Sequence, residues 1–445
     1  MSTPVTSTTI SRADHPIRLE MIDQDGLRVM QRLGEAGFSS YLVGGAVRDL
    51  YLGKTPKDFD IGTNARPGQI RRLFKNSRTI GRRFRLVQVF FRNDKIIEVS
   101  TLRSLSEHDL DGPEQVLAPN NTYGTLAEDA QRRDLSINGL FYEIDQQTII
   151  DYVGGVADLE NGVIRMVGDP EKRILRDPVR MMRAIRHAAR NSFTIEPASR
   201  RAIHRHADKL SLCPASRLRD ELLKDLAGGS AAPWFELAVE SGLFVELAPV
   251  YRSHLSSQST DREHHYRKIH QLLQALDRIG ATLPGAPART LPDHLILACL
   301  LAPWASNAFA VPAKPVKGNQ LHKRAKLIRE AINATIGAYL NLNRAHRQEI
   351  TALLGNLPML NLYRGERDWP KWLKRKSYFA ATRVLYAIIQ EAETGRQVQP
   401  QQVTTISGAE NKTPPRRGRS SRGKSRTRPS FADTRQGGIF GFKKQ

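Results

Sequence analysis

Two aspartates spaced one residue apart, Asp58-Phe59-Asp60, follow closely on the stretch Gly44-Gly45-Ala46-Val47-Arg48-Asp49. In an extended strand, side chains two apart point to the same face. The spacing therefore predicts that Asp58 and Asp60 project together while Phe59 turns toward a core. Two neighbouring carboxylates repel each other unless a cation lies between them. Hard oxygen ligands of this kind suit Mg²⁺, which takes one or two carboxylates and completes its shell with substrate phosphates. The glycine pair lets backbone N–H groups approach an anion closely, because no Cβ intervenes. A phosphate cradle beside a two-carboxylate metal site is the equipment of nucleotidyl transfer. A strand end carrying two solvated aspartates is the plainer alternative, and Gly44, Gly45 and Arg48 upstream weigh against it.

Further residues add to this reading. Glu98, within Ile96-Ile97-Glu98-Val99-Ser100-Thr101, completes the metal site if its strand neighbours the one bearing Asp58 and Asp60, and is otherwise an edge-strand glutamate. In the string Glu128 to Asn138, a helix would place Arg133, Asp134, Ile137 and Asn138 on one side. A cation, a carboxylate and an amide would then converge on a nucleotide. His264 and His265 diverge by about 100° on a helix and lack a second ligand motif, which argues against a metal there. Tyr378, Tyr386, Trp369 and Trp372 lie among Lys371, Lys374, Arg375 and Lys376. Aromatics among cations stack RNA bases in some proteins, but Trp369 and Tyr386 read better as core residues.

These groups must be carried by a scaffold. The pattern predicts a helix from about Met21 to Glu35, strands at Tyr41-Leu42-Val43 and Asp58 to Ile61, and a helix from about Pro67 to Lys75. Strands at Leu86–Phe91 and Ile96–Leu102 follow, joined by a turn at Arg92-Asn93-Asp94-Lys95. Residues 105–124 read as a mobile loop. Up to about Tyr152 the chain is a mixed α/β sheet, and from about Asp169 to Gly395 long helical patterns dominate. On the helix beginning near Pro170, Arg173, Arg176, Arg180, Arg183, Arg186 and Arg190 fall on one broad side, opposite Ile174, Leu175, Met181, Met182, Ile185 and Ala189. That side reads as a solvated basic face, available to phosphates.

A length of 445 residues exceeds one ordinary core and suggests two to four domains. The formal charge is +23, and residues 411–445 hold eleven Lys/Arg against Asp433 alone, so the rest of the chain retains +13. Such a surplus points to a polyanionic partner, above all nucleic acid. Two cysteines, Cys213 and Cys299, exclude a disulfide framework and zinc-type spacing and fit a reducing cytoplasm. The Ser/Thr-rich start at Met1–Ile10 does not read as a secretory signal. The run Leu295–Leu301 is too short to span a bilayer.

Taken in order, these motifs resemble the class II nucleotidyltransferases, the family of bacterial poly(A) polymerases and CCA-adding tRNA nucleotidyltransferases. The likeness runs from about residue 20 to 245. It rests on Leu42–Asp60, Arg132–Asn138, Asp151–Leu159, Arg176-Asp177-Pro178-Val179-Arg180 and Pro214–Glu221. Gly81–Val87 and the helical stretch Trp369–Thr394 resemble the poly(A) polymerase branch. The resemblance implies an α+β fold. A disordered segment 1–16 would precede a nucleotidyltransferase head at 17–152. A helical neck would follow at 153–245, an RNA-binding helical body at 246–395 and a disordered basic tail at 396–445. It implies that Asp58 and Asp60 hold Mg²⁺, that Gly44, Gly45 and Arg48 bind the triphosphate of ATP, and that Asp134 is an essential carboxylate. Arg133 and Asn138 would contact the nucleotide, and Asp177 with Arg180 would read the base. Three positions depart from the family pattern: Arg176 replaces a Glu, Gln88 a His, and Gly139 a small Ala or Ser, the last a minor change.

The function so implied is template-independent addition of AMP from ATP to RNA 3′ ends in the cytoplasm, promoting RNA turnover. The alternatives are a CCA-adding enzyme and a non-catalytic RNA-binding protein, and an intact Asp58/Asp60 pair argues against the last. Partners in RNA degradation are not legible. Deleting residues 411–445 should weaken RNA binding and flatten its salt dependence, because the cations there act by counterion release. Equal slopes of log K against log salt for the full-length and shortened chains would contradict this.

Overall fold

Alternating β-branched residues build a mixed sheet in the first third of the chain, and amphipathic or wholly apolar runs build helices beyond it. The computed structural model describes residues 6–81, 85–104, 122–282, 291–311, 318–361 and 369–398. The strands of the main sheet are β1 (Thr8–Ile10), β2 (Ser40–Val43), β3 (Asp60–Thr63), β4 (Ser77–Ile80), β5 (Leu86–Phe90), β6 (Ile96–Thr101), β7 (Leu140–Glu143) and β8 (Thr148–Asp151). Their order is β1-β8-β7-β2-β3-β6-β5-β4. β3 and β6 pair in parallel, with Asp60 opposite Glu98. The helices of this part are α1 (Gln24–Glu35), α2 (Gly45–Tyr51), α3 (Pro67–Leu73) and α4 (Leu126–Gln131). On β6 the side chains of Ile97, Val99 and Thr101 are buried, so by the period of two Glu98 lies on the other face. The turn before β6 holds Asn93 and Asp94 at φ 60° and 56°, the twist a tight hairpin requires.

The remainder is helical: α5 (Gly155–Glu160), α6 (Pro170–Arg176), α7 (Val179–Asn191), α8 (Pro197–Arg205), α9 (Ala215–Leu226), α10 (Ala231–Glu240), α11 (Leu243–Leu247) and α12 (Arg262–Ala281). Next come α13 (Asp293–Phe309), α14 (Asn319–Ala334), α15 (Ile336–Tyr339), α16 (Arg344–Asn361), α17 (Lys371–Lys374) and α18 (Phe379–Thr394). A two-stranded parallel ribbon of β9 (Val163–Ile164) and β10 (Thr194–Ile195) lies among them. The fold is thus α+β, a sheet-bearing part followed by helices. Apolar all round, α13 is buried from Leu295 to Ala305. No helix among the described residues is long and apolar enough to cross a membrane. Trp369 is buried against Leu373 and Tyr386, as core residues. The mobile loop expected at 105–124 falls, from 105 to 121, outside the described residues, as does the expected basic tail from residue 399 onward.

The structure corrects four expectations. Residues 1–16 are not all without structure: Thr8–Ile10 pairs with β8, and His15 Nε2 meets the Gln147 carbonyl at 2.9 Å. The β-branched Thr-Thr-Ile triplet satisfies an open sheet edge, an order that composition does not show. The helix expected from Met21 begins at Gln24, because the Asp23 carboxylate accepts the amides of Asp25 and Gly26 as an N-cap. Asp58 lies ahead of β3 rather than within it. The helix expected from Pro170 is broken between Arg176 and Val179, since a residue preceding proline is driven out of the helical region; Asp177 sits at φ −145°, ψ 85°.

A fifth correction has the widest effect. The arginine row of α6 and α7 is not a uniformly solvated face: Arg173 and Arg186 are buried, whereas Arg190 is exposed and Arg183 keeps 41% of its side chain in solvent. Arg173 donates to the Arg133 carbonyl, and Arg180 Nη2 to the Arg132 carbonyl at 3.4 Å. Arg183 Nε pairs with Asp134 at 2.9 Å. Arg186, buried, pairs with Asp225 and, at 2.6 Å, with Glu221 of α9, while Arg190 Nη2 donates to the Lys224 carbonyl at 2.6 Å. Leu175, expected opposite in the core, is 43% exposed. Helical periodicity separates polar from apolar positions but does not show which side faces another charged element. Arg186→Ala should cost about 3–5 kcal/mol, because Asp225 is left buried without its partner. A urea midpoint within error of wild type would contradict the buried pair.

Candidate active site

The site is built where β2 runs into α2 and β3 lies beside β6. Gly44, between β2 and α2, has φ +66°, a conformation open to glycine. A Cβ there would lie 2.9 Å from Arg133 Nη1, so the glycine also makes room for that guanidinium. From α2, Arg48 Nη1 donates to Asn138 Oδ1 at 2.6 Å, and Nη2 pairs with Asp49 at 2.7 Å. Asn138 Nδ2 donates to Asp134 Oδ1 at 3.3 Å, and Arg133 Nη1 reaches the Asn138 carbonyl at 3.4 Å. The Arg133 guanidinium also covers the Phe141 ring at 5.1 Å. Gly44, Arg48, Arg133, Asp134 and Asn138 therefore form one connected group.

They do not share a helix face, as their spacing suggested. α4 ends at Gln131, Leu135 is extended, and Ser136–Asn138 is a single 3₁₀ turn. Asp134 is nearly buried and accepts the Leu135 amide at 2.8 Å. Burial opposes its charge, but Arg183 and Arg180 hold its carboxyl well below the usual range. At Gly139, read as a minor departure, a Cβ would meet Val153 Cγ2 at 2.6 Å and the Ser136 carbonyl at 3.2 Å, so a side chain there requires Val153 to shift.

Asp58 and Asp60 stand on the lead-in and first residue of β3, both accessible to solvent. Partial burial of the Asp60 carboxyl in the cleft, with the charges of Glu98 and Asp58, pushes it up to about 6, while Arg133 pulls it down. The neighbour condition on Glu98 is met, since it is the register partner of Asp60. Gln88 Nε2 donates to Glu98 Oε1 at 3.0 Å, which orients that carboxylate. Among the described residues no three His, Cys, Asp or Glu side chains form a ready metal cage. The negative charge gathered on Asp60 is nonetheless what a divalent cation would relieve. Hard oxygen donors fit Mg²⁺ with phosphates completing its shell.

Asp177 and Arg180 flank the α6–α7 break. Both Asp177 oxygens accept from Arg217 of α9 at 2.8 Å, a bidentate pair. Arg180 Nη1 is buried without a hydrogen-bond partner among the described residues. Arg176 closes α6. Arg217, Arg183, His187 and Asp129 were not singled out as site residues from sequence. The spacing Arg180, Arg183, His187 marks one helical stripe and was the available signal. His187 is buried, and burial with the charge of Arg48 holds it well below its ordinary pKa and neutral.

Residues 40–165 match the family described as the poly A polymerase head domain, and residues 192–255 the probable RNA and SrmB-binding site of polymerase A. The chain is 34% identical over 292 residues to the CCA-adding enzyme of Bacillus subtilis, covering 62% of this chain and 70% of that one. It belongs to the class II nucleotidyltransferase family. Within the family it is similar to the poly(A) polymerase I of Escherichia coli O6:H1, 46% identical over 249 residues, covering 54% of this chain and 53% of the relative. The match thus spans about half the length of that relative. In fold it resembles the Bacillus stearothermophilus CCA-adding enzyme in complex with CTP, with TM-score 0.60, 22% identity, and 88% and 82% of the two chains covered.

The hub of the site is Asp129, 1% exposed, which accepts from Arg132 Nε at 2.7 Å, from Arg133 Nη2 at 2.9 Å and from the Arg103 amide at 3.1 Å. Burial opposes its charge, yet Arg133 and Arg132 hold the carboxyl below its ordinary value. A carboxyl lowered on folding adds stability above its unfolded pKa, and that stability is lost as pH falls. Wild type should therefore lose stability as pH drops below about 4, and Asp129→Asn should lose less over the same range. Parallel urea-midpoint profiles between the two would contradict the assignment.

Proposed function

We propose that the chain is a template-independent poly(A) polymerase, joining AMP from ATP to an RNA 3′-hydroxyl and releasing pyrophosphate. The observation that carries this reading is the register of Asp60 with Glu98, Asp58 alongside, next to the cationic group of Arg48 and Arg133. In the reaction the 3′-oxygen attacks the α-phosphate in line, its proton leaves, and the bond to pyrophosphate breaks. Asp58 and Asp60 would hold Mg²⁺, whose charge supports the attacking and leaving oxygens when bound. Gly44 and Gly45 leave room for the triphosphate, and Arg48 and Arg133 offer it guanidiniums. Asn138 holds Arg48, while Asp134 is set by Arg183 to keep the Leu135–Asn138 turn in place. Arg180 Nη1 is the open donor for a base edge, and Asp177, oriented by Arg217, stands beside it in sequence as an acceptor.

On this reading residues 17–152 are the catalytic head, 153–245 the neck that reads the base, and 246–395 an RNA-binding body. The setting is cytoplasmic, and the product is RNA marked for turnover. A CCA-adding activity is the second reading, favoured by the 70% coverage of the Bacillus subtilis CCA-adding enzyme. The segment Gly81–Val87, which pointed to the poly(A) branch, lies partly outside the described residues, at 82–84.

Asp58→Ala and Asp60→Ala should each lower AMP addition at least about a thousandfold while leaving RNA affinity intact, the loss expected of a metal clamp. Near-normal turnover in either variant would refute the site. Supplied singly, ATP should extend an unstructured primer into a long homopolymer and CTP should not. Extension confined to a tRNA lacking its terminal CCA, and by three nucleotides, would select the second reading.

A further inference from the structure

Where α12, α13 and α18 meet they leave a cavity of about 370 Å³, outside the site described above. That volume lies at the small end of ligand pockets. The floor is apolar, formed by the buried side chains of Leu272, Ala302, Pro303 and Ile389. α13 is irregular where it lines this cavity. Pro303 has no amide to give to the Cys299 carbonyl four residues back. One residue on, the Tyr251 hydroxyl stands in the helical ladder, accepting from the Trp304 amide at 3.2 Å and donating to the Leu300 carbonyl at 2.5 Å. Two successive helical bonds are therefore missing or replaced beside Ala302 and Ser306.

The walls carry two opposite charges that stand apart. Lys268 of α12 forms no ion pair among the described residues, and its Nζ lies 3.5 Å from Ser306 Oγ. Glu393 of α18 has neither an ion pair nor a side-chain hydrogen bond among them. A cation and a carboxylate lining one cavity attract each other and would pair if they could meet. Their separation leaves both to be satisfied by a molecule between them. Glu393 also lies in the last turn of α18, where the helix dipole opposes a negative charge. His264, Arg267 and Lys268 share one face of α12, and Arg267 is already balanced by Glu263 at 3.2 Å.

Such a cavity selects a ligand with an anionic end, an apolar body and a donor edge at the far end. An aliphatic carboxylate would satisfy Lys268 but cover Glu393 without a donor, and a polyamine would do the reverse. An amino acid carries both charges on one carbon and cannot span the two walls. A nucleoside monophosphate has separated poles. Among the bases, guanine offers two parallel donors, N1–H and the exocyclic amine, to the two oxygens of a carboxylate. Adenine sets a ring acceptor beside its amine, which a carboxylate repels. We propose that this cavity binds one guanine mononucleotide, with the base edge on Glu393, the ring over Leu272, Pro303 and Ile389, and the phosphate on Lys268 and His264. The site uses no residue of the polymerase centre and does not rest on the poly(A) reading.

The test is equilibrium dialysis of the full chain against radiolabelled GMP, without RNA and with saturating ATP to occupy the polymerase centre. Wild type should bind one GMP per chain, and AMP at least about tenfold more weakly, the effect of one lost hydrogen bond to a charged group. Glu393→Gln should weaken GMP by about the same factor and narrow its advantage over AMP. Lys268→Met should weaken GMP about tenfold and leave guanosine unchanged. Ala392→Trp, which fills the cavity from a half-buried position on α18, should abolish binding. All three variants should add AMP to an RNA primer at the wild-type rate, which shows that they fold. No binding at millimolar GMP, wild-type affinity in all three variants, equal affinity for GMP and AMP, or displacement of GMP by ATP would each overturn the proposal. Displacement by an oligoadenylate, which has no guanine, would make the cavity part of the RNA path and overturn it as well.

Discussion

Guanidinium groups from one helix pair reach back onto three consecutive residues of the sheet-bearing part, and the site hangs on that contact. Arg173, Arg180 and Arg183 engage Arg133, Arg132 and Asp134 in turn. The segment Arg132–Asp134 itself carries two arginines and a buried carboxylate, and Asp129 neutralises the arginines from the preceding turn. Charges taken from water must find partners or the fold loses several kcal/mol for each. Removing the helices would leave Asp134 and its neighbours with burial unpaid, so the sheet and helices are coupled by electrostatics as well as by packing. The same contact aligns Asn138, and through it Arg48, with the glycine pair at Gly44 and Gly45.

Internal use of these arginines reduces the charge that the chain can offer a polyanion. A formal charge of +13 outside residues 411–445 suggested a basic surface. Much of the α7 contribution is spent on Asp134, Glu221, Asp225 and backbone carbonyls. Charge available to a polyanion then has to come from elsewhere on the chain. Formal charge counts residues, whereas affinity for a polyanion depends on those left unpaired.

The legible parts of the sequence were those governed by local rules. The hairpin at Asn93-Asp94, the strands at Leu86–Phe90 and Ile96–Thr101, the α13 core helix and the burial of Trp369 follow from turn chemistry and periodicity. The conditional placement of Glu98 beside Asp60 was met by the β3–β6 register. What escaped depended on contacts remote in sequence. β1 is ordered by an edge strand near residue 150. The segment after Gln131 leaves the helix where the Asp134 carbonyl accepts from the Val167 amide, the Ser136 amide donates to the Arg165 carbonyl, and the Asp134 carboxylate pairs with Arg183. Periodicity could sort the arginines of α7 onto a stripe but could not supply Asp225 or Asp134 as their partners.

The direct measurement of this coupling is a double-mutant cycle on Asp134 and Arg183, read as unfolding free energy at neutral pH. Asp134→Asn and Arg183→Gln should each destabilise the chain, and the double variant should lose less than their sum by at least about 1 kcal/mol, as for groups in one charged network. Additivity within about 0.5 kcal/mol is the behaviour of independent sites, and it would contradict the claim that the helical arginines hold the Arg132–Asn138 segment in place.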